Sequence, residues 1–251
     1  MPEPVCPLCD GTGYTVVERA GLSGAVRCSC SVQSRANSLR GSTNIPPKYE
    51  YASLDNFQIP QENPIARAGL GKVLMQVRSF VREFPAPDRP GLLLVGDTGT
   101  GKTHLAIAAL KAIVEKGHEG LFYDFQNLLD RIRSGYDAAS GTSDRAAYRN
   151  ALDAEVLLLD DLGSHRVTEW VEDTVTSIIT YRCNHQKPLI ATTNLEVDDS
   201  GAVAYTTAGG TQVHRKTLGD VIGARARSRL FEMCRIVRMP AVEDYRVKRS
   251  R

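Results

Sequence analysis

Aromatic residues are scarce: six Phe, nine Tyr and one Trp make up 6% of the 251 residues. That is too few to suggest a broad platform on which nucleobases stack, so any contact with nucleic acid would be mainly to phosphate. Long apolar runs are missing as well. No stretch approaches the ~18 apolar residues of a membrane span. The opening Met1-Pro2-Glu3-Pro4-Val5-Cys6 lacks the apolar core of a secretory signal, so a cytoplasmic protein is expected. Charge of one sign is lacking too. Lys and Arg number 31 against 29 Asp and Glu, a net +2, so the overall balance argues neither for nor against a nucleic-acid partner. No internal repeat is present. What remains, 42% hydrophobic and 24% charged residues, fits an ordinary globular protein with room for one sizeable α/β domain and a small appendage.

Cysteine is used sparingly but not evenly. Four of the six lie in the first 30 residues, as Cys6-Pro7-Leu8-Cys9 and Cys28-Ser29-Cys30, with 18 residues between the pairs. In a reducing compartment such a cluster reads as metal ligands rather than disulfides. Four thiolates suit a closed tetrahedral Zn²⁺ site, and tight spacing lets one turn present two sulfurs. A segment this short cannot bury a core of its own, so a metal staple is physically reasonable. Four unrelated thiols, or an iron–sulfur cluster, are the alternatives. Cys183 and Cys234 stand singly in apolar patterns and read as packed side chains.

Residues 31–44 hold no acidic residue and read as a linker or a solvated basic helix. Asn63-Pro64 is a helix start, a capping side chain followed by proline at the first helical position. Leu70, Val73, Leu74, Val77, Phe80, Val81 and Phe84 follow at helical spacing. Apolar strands are expected at 91–95, 121–125, 156–160, 188–194 and 235–239, with helices between them, one of these over 218–231. Strands alternating with helices imply a parallel sheet covered on both faces. The fourth of these strands should lie between the first and the third.

After the first strand comes Gly96-Asp97-Thr98-Gly99-Thr100-Gly101-Lys102-Thr103, which is G-x-x-x-x-G-K-T between a strand and a helix. Glycines let successive N–H groups curl around phosphate oxygens, and the following helix adds its positive end. Lys102 can reach the β- and γ-phosphates, and the Thr103 hydroxyl can ligate Mg²⁺. The chain therefore binds a nucleoside triphosphate. At the end of the third strand Asp160-Asp161 points into the crevice where ligands bind. Asp160 would hold Mg²⁺ and Asp161 would polarise the attacking water. Asn194, ending the fourth strand, could position water, although Asn there is also an ordinary turn residue. Arg225, Arg227 and Arg229 lie close together, as a solvated face or as a source of an arginine finger. Arg225 and Arg229, four apart, share a face. From Leu218 to Arg251 nine basic residues face four acidic ones, so this end is locally basic. His104, His165 and His185 have no partner at ligand or triad spacing and read as surface or packed residues.

The ordered set of motifs resembles the bacterial replicative helicase loaders of the DnaC/DnaI type, AAA+ ATPases similar to the transposition ATPase IstB. The set comprises the cysteine knuckle, Ile45-Pro46-Pro47-Lys48-Tyr49, the loop through His104 and Asp160-Asp161-Leu162-Gly163. It continues with Thr168-Glu169-Trp170, the 191–195 segment, Ser228-Arg229-Leu230 and Asp244-Tyr245-Arg246. The resemblance covers nearly the whole chain. It implies a five-stranded P-loop AAA+ core over 45–251 with little or no C-terminal lid. A zinc module and linker over 1–44 would face a hexameric replicative helicase. It also implies ATP binding through Gly96, Thr98, Gly99, Thr100, Gly101, Lys102 and Thr103, and single-stranded DNA binding. Homo-oligomerisation would bring Arg229 in as a finger in trans, and Arg246 would sense phosphate in cis. Asp161 stands where strong AAA+ hydrolases carry Glu, so slow hydrolysis is expected. An IstB-like or phage replication ATPase and a regulatory switch without DNA remain open; the cysteine knuckle favours a loader.

Overall fold

A computed structural model describes residues 6–19, 21–134, 145–197, 205–206, 212–213, 216–245 and 247. The N-terminal part is a hairpin of β1 (Tyr14–Arg19) and β2 (Leu22–Arg27), followed by α1 (Ser29–Arg40). Then come α2 (Pro64–Glu83), β3 (Gly91–Val95), α3 (Lys102–Glu115), β4 (Gly120–Asp124), α4 (Phe125–Ser134), α5 (Arg145–Asp153) and β5 (Val156–Asp160). The remainder is α6 (Glu169–Asn184), β6 (Leu189–Thr193), β7 (Tyr205–Thr206), β8 (Gln212–Val213), α7 (Gly219–Ile222), α8 (Ala224–Met233) and β9 (Cys234–Arg238).

The central sheet has the order β4-β5-β6-β3-β9, and every pair in it is parallel. As expected, β6 lies between β3 and β5. Alternation along each strand feeds two separate cores. Leu92 and Leu94 join Leu158, Ile190, Val77, Phe80, Ile107 and Leu110 on the α2–α3 side. Leu93 and Val95 join Leu157, Leu159, Leu128, Val175, Ile179 and Leu230 on the other side. All five residues of β3, β5 and β6 are buried. Burying each large apolar side chain contributes about 1.5–3 kcal/mol, so the strands that carry the phosphate loop and the acid pair are firmly held.

The helix starts follow their capping chemistry. Asn63 Oδ1 accepts from Ile65 N at 3.1 Å and Ala66 N at 3.0 Å, with Pro64 at the first position. Thr168 Oγ1 accepts from Val171 N at 3.3 Å.

Three details differ from expectation. The 218–231 helix is two helices, because Gly223 between them has φ +83°. Any side chain there would collide with the Glu172 carboxylate, 2.3 Å from an added Cβ. The 31–44 stretch is a helix to Arg40, but it is docked rather than solvated. Ala36 is fully buried, and Val32 and Arg35 lie against Gly117 at the end of α3. Thr43 O then accepts from Phe122 N at 2.8 Å, covering the outer edge of β4. Finally, α5 occupies a stretch for which no element is expected from the sequence; Ala147 and Ala151 are buried there, with Tyr148 and Leu152 packed against the core.

Candidate functional site

The phosphate loop leaves β3 through three glycines with positive φ: Gly96 (150°), Gly99 (78°) and Gly101 (95°). Left-handed backbone at Gly99 and Gly101 makes the curl possible without a Cβ penalty. Lys102 opens α3 with only 6% of its surface exposed. Its Nζ donates to Gly96 O at 2.8 Å and to Asp97 O at 2.7 Å, so the ammonium is held along the loop, where phosphate oxygens would compete with these carbonyls. Thr100 Oγ1 donates to Asp97 O at 2.8 Å and braces the turn. Thr98, by contrast, is exposed.

The order β5-β6-β3 brings the acid pair beside the loop. The Thr103 hydroxyl stands near enough to the Asp160 carboxyl to favour its charged form, so the two Mg²⁺ candidates face each other. Thr192 Oγ1 donates to Asp160 Oδ1 at 2.7 Å and accepts from Asp161 N at 2.8 Å. Burial pushes the Asp160 carboxyl above its ordinary range, and the charges of Asp161 and Asp124 add to this against the two hydroxyl bonds. A divalent cation would reverse that shift. Asp161 adopts φ +58°, which turns its side chain out of the strand direction. Asn194 Nδ2 donates to Asp161 Oδ1 at 2.7 Å. Loop lysine, hydroxyl, buried acid, second acid and amide thus form one constellation. It can bind a triphosphate, hold a hard cation between Thr103 and Asp160, and orient water at Asp161. Thr192 escaped the sequence reading. Its only signal was a polar pair, Thr192-Thr193, ending an apolar strand.

His104 is packed: its Nε2 lies 2.9 Å from Ser53 O, and its ring is 5.6 Å from Phe57. Phe57 in turn lies on Gly101, 2.6 Å from where a Cβ would stand. The 53–58 segment therefore forms one wall of the phosphate loop, which no motif announced.

The arginines diverge. Arg229 Nη1 donates to Glu232 Oε2 at 2.6 Å, and this bond raises the Arg229 pKa. Arg227 Nε donates to Val197 O at 2.6 Å, with its guanidinium 5.0 Å from the Phe231 ring. Arg225 is exposed. Arg246 lies outside the described residues.

Cys6, Cys9, Cys28 and Cys30 converge, with all four Sγ within 4.8 Å of one another. Thiolates bound about 2.3 Å from one tetrahedral ion stand about 3.8 Å apart. The Cys6–Cys28 separation is 3.8 Å and the Cys9–Cys30 separation 3.4 Å. The donor set therefore fits zinc. Burial opposes ionisation of Cys9, but hydrogen bonds, led by that from Cys30, bring its thiol down to about 7. The same bonding, from Cys9 first and then Cys28 and Cys6, pushes Cys30 up to about 12. Four thiols this close cannot all ionise without a cation among them.

A model of the family described as IstB-like ATP binding protein matches residues 78–213. The crystal structure of the DnaC helicase loader is similar with 34% sequence identity and a TM-score of 0.61, over 78% of this chain and 100% of that one. Phage-like element PBSX protein XkdC of Bacillus subtilis (strain 168) is 23% identical over 215 residues, 83% of this chain and 78% of the relative. Replicative helicase loader DnaC of Escherichia coli (strain K12) is 22% identical, over 75% of each chain. With a family match across more than half its length, and the loop and acid pair in place, the chain belongs to the IstB-like ATP-binding family of DnaC/DnaI-type loaders and is an AAA+ ATPase tied to DNA replication.

Proposed function

We propose that this ATPase is a helicase loader. It binds ATP, assembles into an oligomer, and delivers a replicative hexameric helicase to single-stranded DNA. The observation that carries this reading is the seating of the cysteine module on the helix that begins in the phosphate loop. Lys102 and Thr103 start α3, and α1 packs on the same helix. Arg40 pairs with Glu115 at 3.2 Å and Arg35 with Glu155 at 3.9 Å across the seam. Any nucleotide-dependent movement of α3 reaches the module directly. The hairpin in turn exposes Val16 (74%) and Leu22 (77%), with Leu8 (68%) on the knuckle. Exposed apolar side chains of this kind suit a protein partner.

In this reading residues 1–44 are the partner-binding module and 45–251 the ATPase domain. Gly96, Thr98, Gly99, Thr100 and Gly101 cradle the phosphates, and Lys102 pairs with them. Thr103 and Asp160 would hold Mg²⁺, which neutralises phosphate charge. Asp161, oriented by Asn194, takes the proton of the attacking water, and Arg229 of a neighbouring copy stabilises the transition state. For that role Arg229 must exchange Glu232 for phosphate. Arg246 senses the nucleotide in cis. Cys6, Cys9, Cys28 and Cys30 would hold Zn²⁺ as a structural staple. Asp161 is one methylene shorter than Glu, which supports slow turnover with ATP acting as a switch. Among the described residues no helix is long and apolar enough to cross a membrane, and the reading assigns the protein to the cytoplasm. The likeness to XkdC, a protein of a phage-like element, favours a phage replication ATPase as the second reading.

The test is co-purification with the host's replicative helicase, comparing wild type with Lys102→Ala at matched ATP. The reading expects a helicase complex that Lys102→Ala weakens at least ten-fold. Capture of a transposase without helicase would sink it in favour of the IstB-like role.

A further inference from the structure

Beyond β9 the chain does not leave the nucleotide site; it runs back along the phosphate loop. Met239 N donates to Val95 O at 2.7 Å. Its side chain covers Gly96, where an added Cβ would meet Met239 Cβ at 2.7 Å. Pro240 is wedged on Gly69 of α2, 2.9 Å from where a Cβ would stand. Further on, Tyr245 N donates to Gly99 O at 3.2 Å, and Tyr245 Oη donates to Gln58 Oε1 at 3.1 Å. Residues 239–245 therefore form a strap tied to β3, to α2, to the loop itself and to the 53–58 wall. Three glycines, at 69, 96 and 99, admit it where any side chain would collide.

The strap carries a carboxylate to the loop. A Cβ added at Gly99 would lie 2.0 Å from Asp244 Cγ and 2.1 Å from its Oδ1, so the acid rests directly against the Gly99 α-carbon. A loop whose amides exist to receive phosphate thus already has an anion beside it. Like charges a few ångströms apart repel, and near a protein surface this repulsion is only partly screened. A triphosphate brings more negative charge to the turn than a diphosphate and must feel it more.

We propose that Asp244 is an anionic brake on the phosphate loop. Bound triphosphate drives the carboxylate off Gly99 and loosens the strap, so nucleotide state is reported at residues 239–245. The brake rests on nucleotide binding at this loop and is independent of the helicase as cargo.

The test is calorimetric titration of Mg·ATP and Mg·ADP into wild type and Asp244→Asn. Removing the charge should tighten ATP about three- to ten-fold and ADP by less, with the gain shrinking as salt rises. Unchanged or weaker ATP affinity overturns the brake. An equal gain for both nucleotides also overturns it, since charge would then not be the cause. Hydrogen exchange of the Tyr245 amide gives a second readout on wild type. Mg·ATP should speed it, and slower exchange would show that nucleotide clamps the strap instead.

Discussion

Strands β2 and β3 differ by one residue in length and in almost everything else. All five residues of β3 are buried, between helices on both faces. All six of β2 are exposed, and its one partner is β1. The first is held by apolar burial from two cores, and burial fixes backbone positions closely enough for a loop that must cradle phosphate. The second has no core, and a two-stranded hairpin in water is marginal at best. At its base, where Cys28 N donates to Gly13 O at 2.8 Å, lie the four converging thiols, and a bound ion there would staple it. The nucleotide site is thus built inward on a buried sheet, whereas the hairpin proposed as the partner surface is left outward.

Removing the staple should separate the two regions most sharply. Structural zinc sites contribute apparent binding free energies of about 10–16 kcal/mol. Cys9→Ser should therefore abolish stoichiometric zinc and amide protection across residues 14–27, while ATP affinity stays within about two-fold. Retained zinc would show that the ligand set is wrong, and lost ATP binding would show that the regions are not separable.

The next effect lies inside the ATPase body. Arg182 is fully buried. Its Nη1 and Nη2 donate to the carbonyls of Ala151, Leu152, Ala154, Glu155 and Pro188 over 2.6–3.3 Å. Burial lowers its pKa to about 9. Arg182→Met strands those carbonyls, at a cost of about 3–5 kcal/mol, or about 10 °C in Tm. Thermal denaturation measures it, and a loss under 1 kcal/mol would mean that water replaces the guanidinium.

Asp160→Asn should act in the opposite direction. The folded state raises the Asp160 pKa, so it favours the neutral form. That stabilisation is whole below the unfolded-state value of about 3.9 and is lost as pH rises through the higher folded value. At pH 7 the permanently neutral amide should then stabilise the nucleotide-free protein and raise its Tm. Mg²⁺-dependent ATP turnover should disappear. A lower Tm at pH 7 with no gain over wild type across pH 5–8 would contradict the burial argument.

The smallest stability effect belongs to the hairpin surface. Val16→Ser with Leu22→Ser should change folding by no more than about 0.5 kcal/mol, with ATP hydrolysis unchanged. Helicase capture should fall at least ten-fold. Full capture by the double variant would move the partner surface elsewhere.

Much of both regions was legible because it is written in local spacing. The G-x-x-x-x-G-K-T turn, both cysteine pairs, Asn63-Pro64 and the apolar run ending in Asp160-Asp161 each span only a few residues. Their chemistry follows from side-chain type and distance along the chain. The break at Gly223 was not legible: a glycine permits positive φ but does not announce it, and the Glu172 carboxylate that leaves no room for a side chain there lies 51 residues away by sequence number. Helix α1 read as a linker or a solvated helix because its docking on α3 rests on little apolar surface, with Ala36 buried and Val32 against Gly117.

The sequence by itself determined that the chain binds a nucleoside triphosphate, that it has a parallel α/β sheet, and which thiols can share an ion. Tertiary structure alone decided that Thr192 bridges Asp160 and Asp161, that Asn194 holds Asp161, that Arg182 ties together the turns before β5 and β6, and that Asp244 comes to rest on Gly99. The reason is physical. Periodicity reports which face of an element is buried, but not which strand will be its neighbour. Contacts spanning 28 to 32 residues, as for Arg182 with Ala154 and Thr192 with Asp160, exist only once crossover connections have set the order β4-β5-β6-β3-β9.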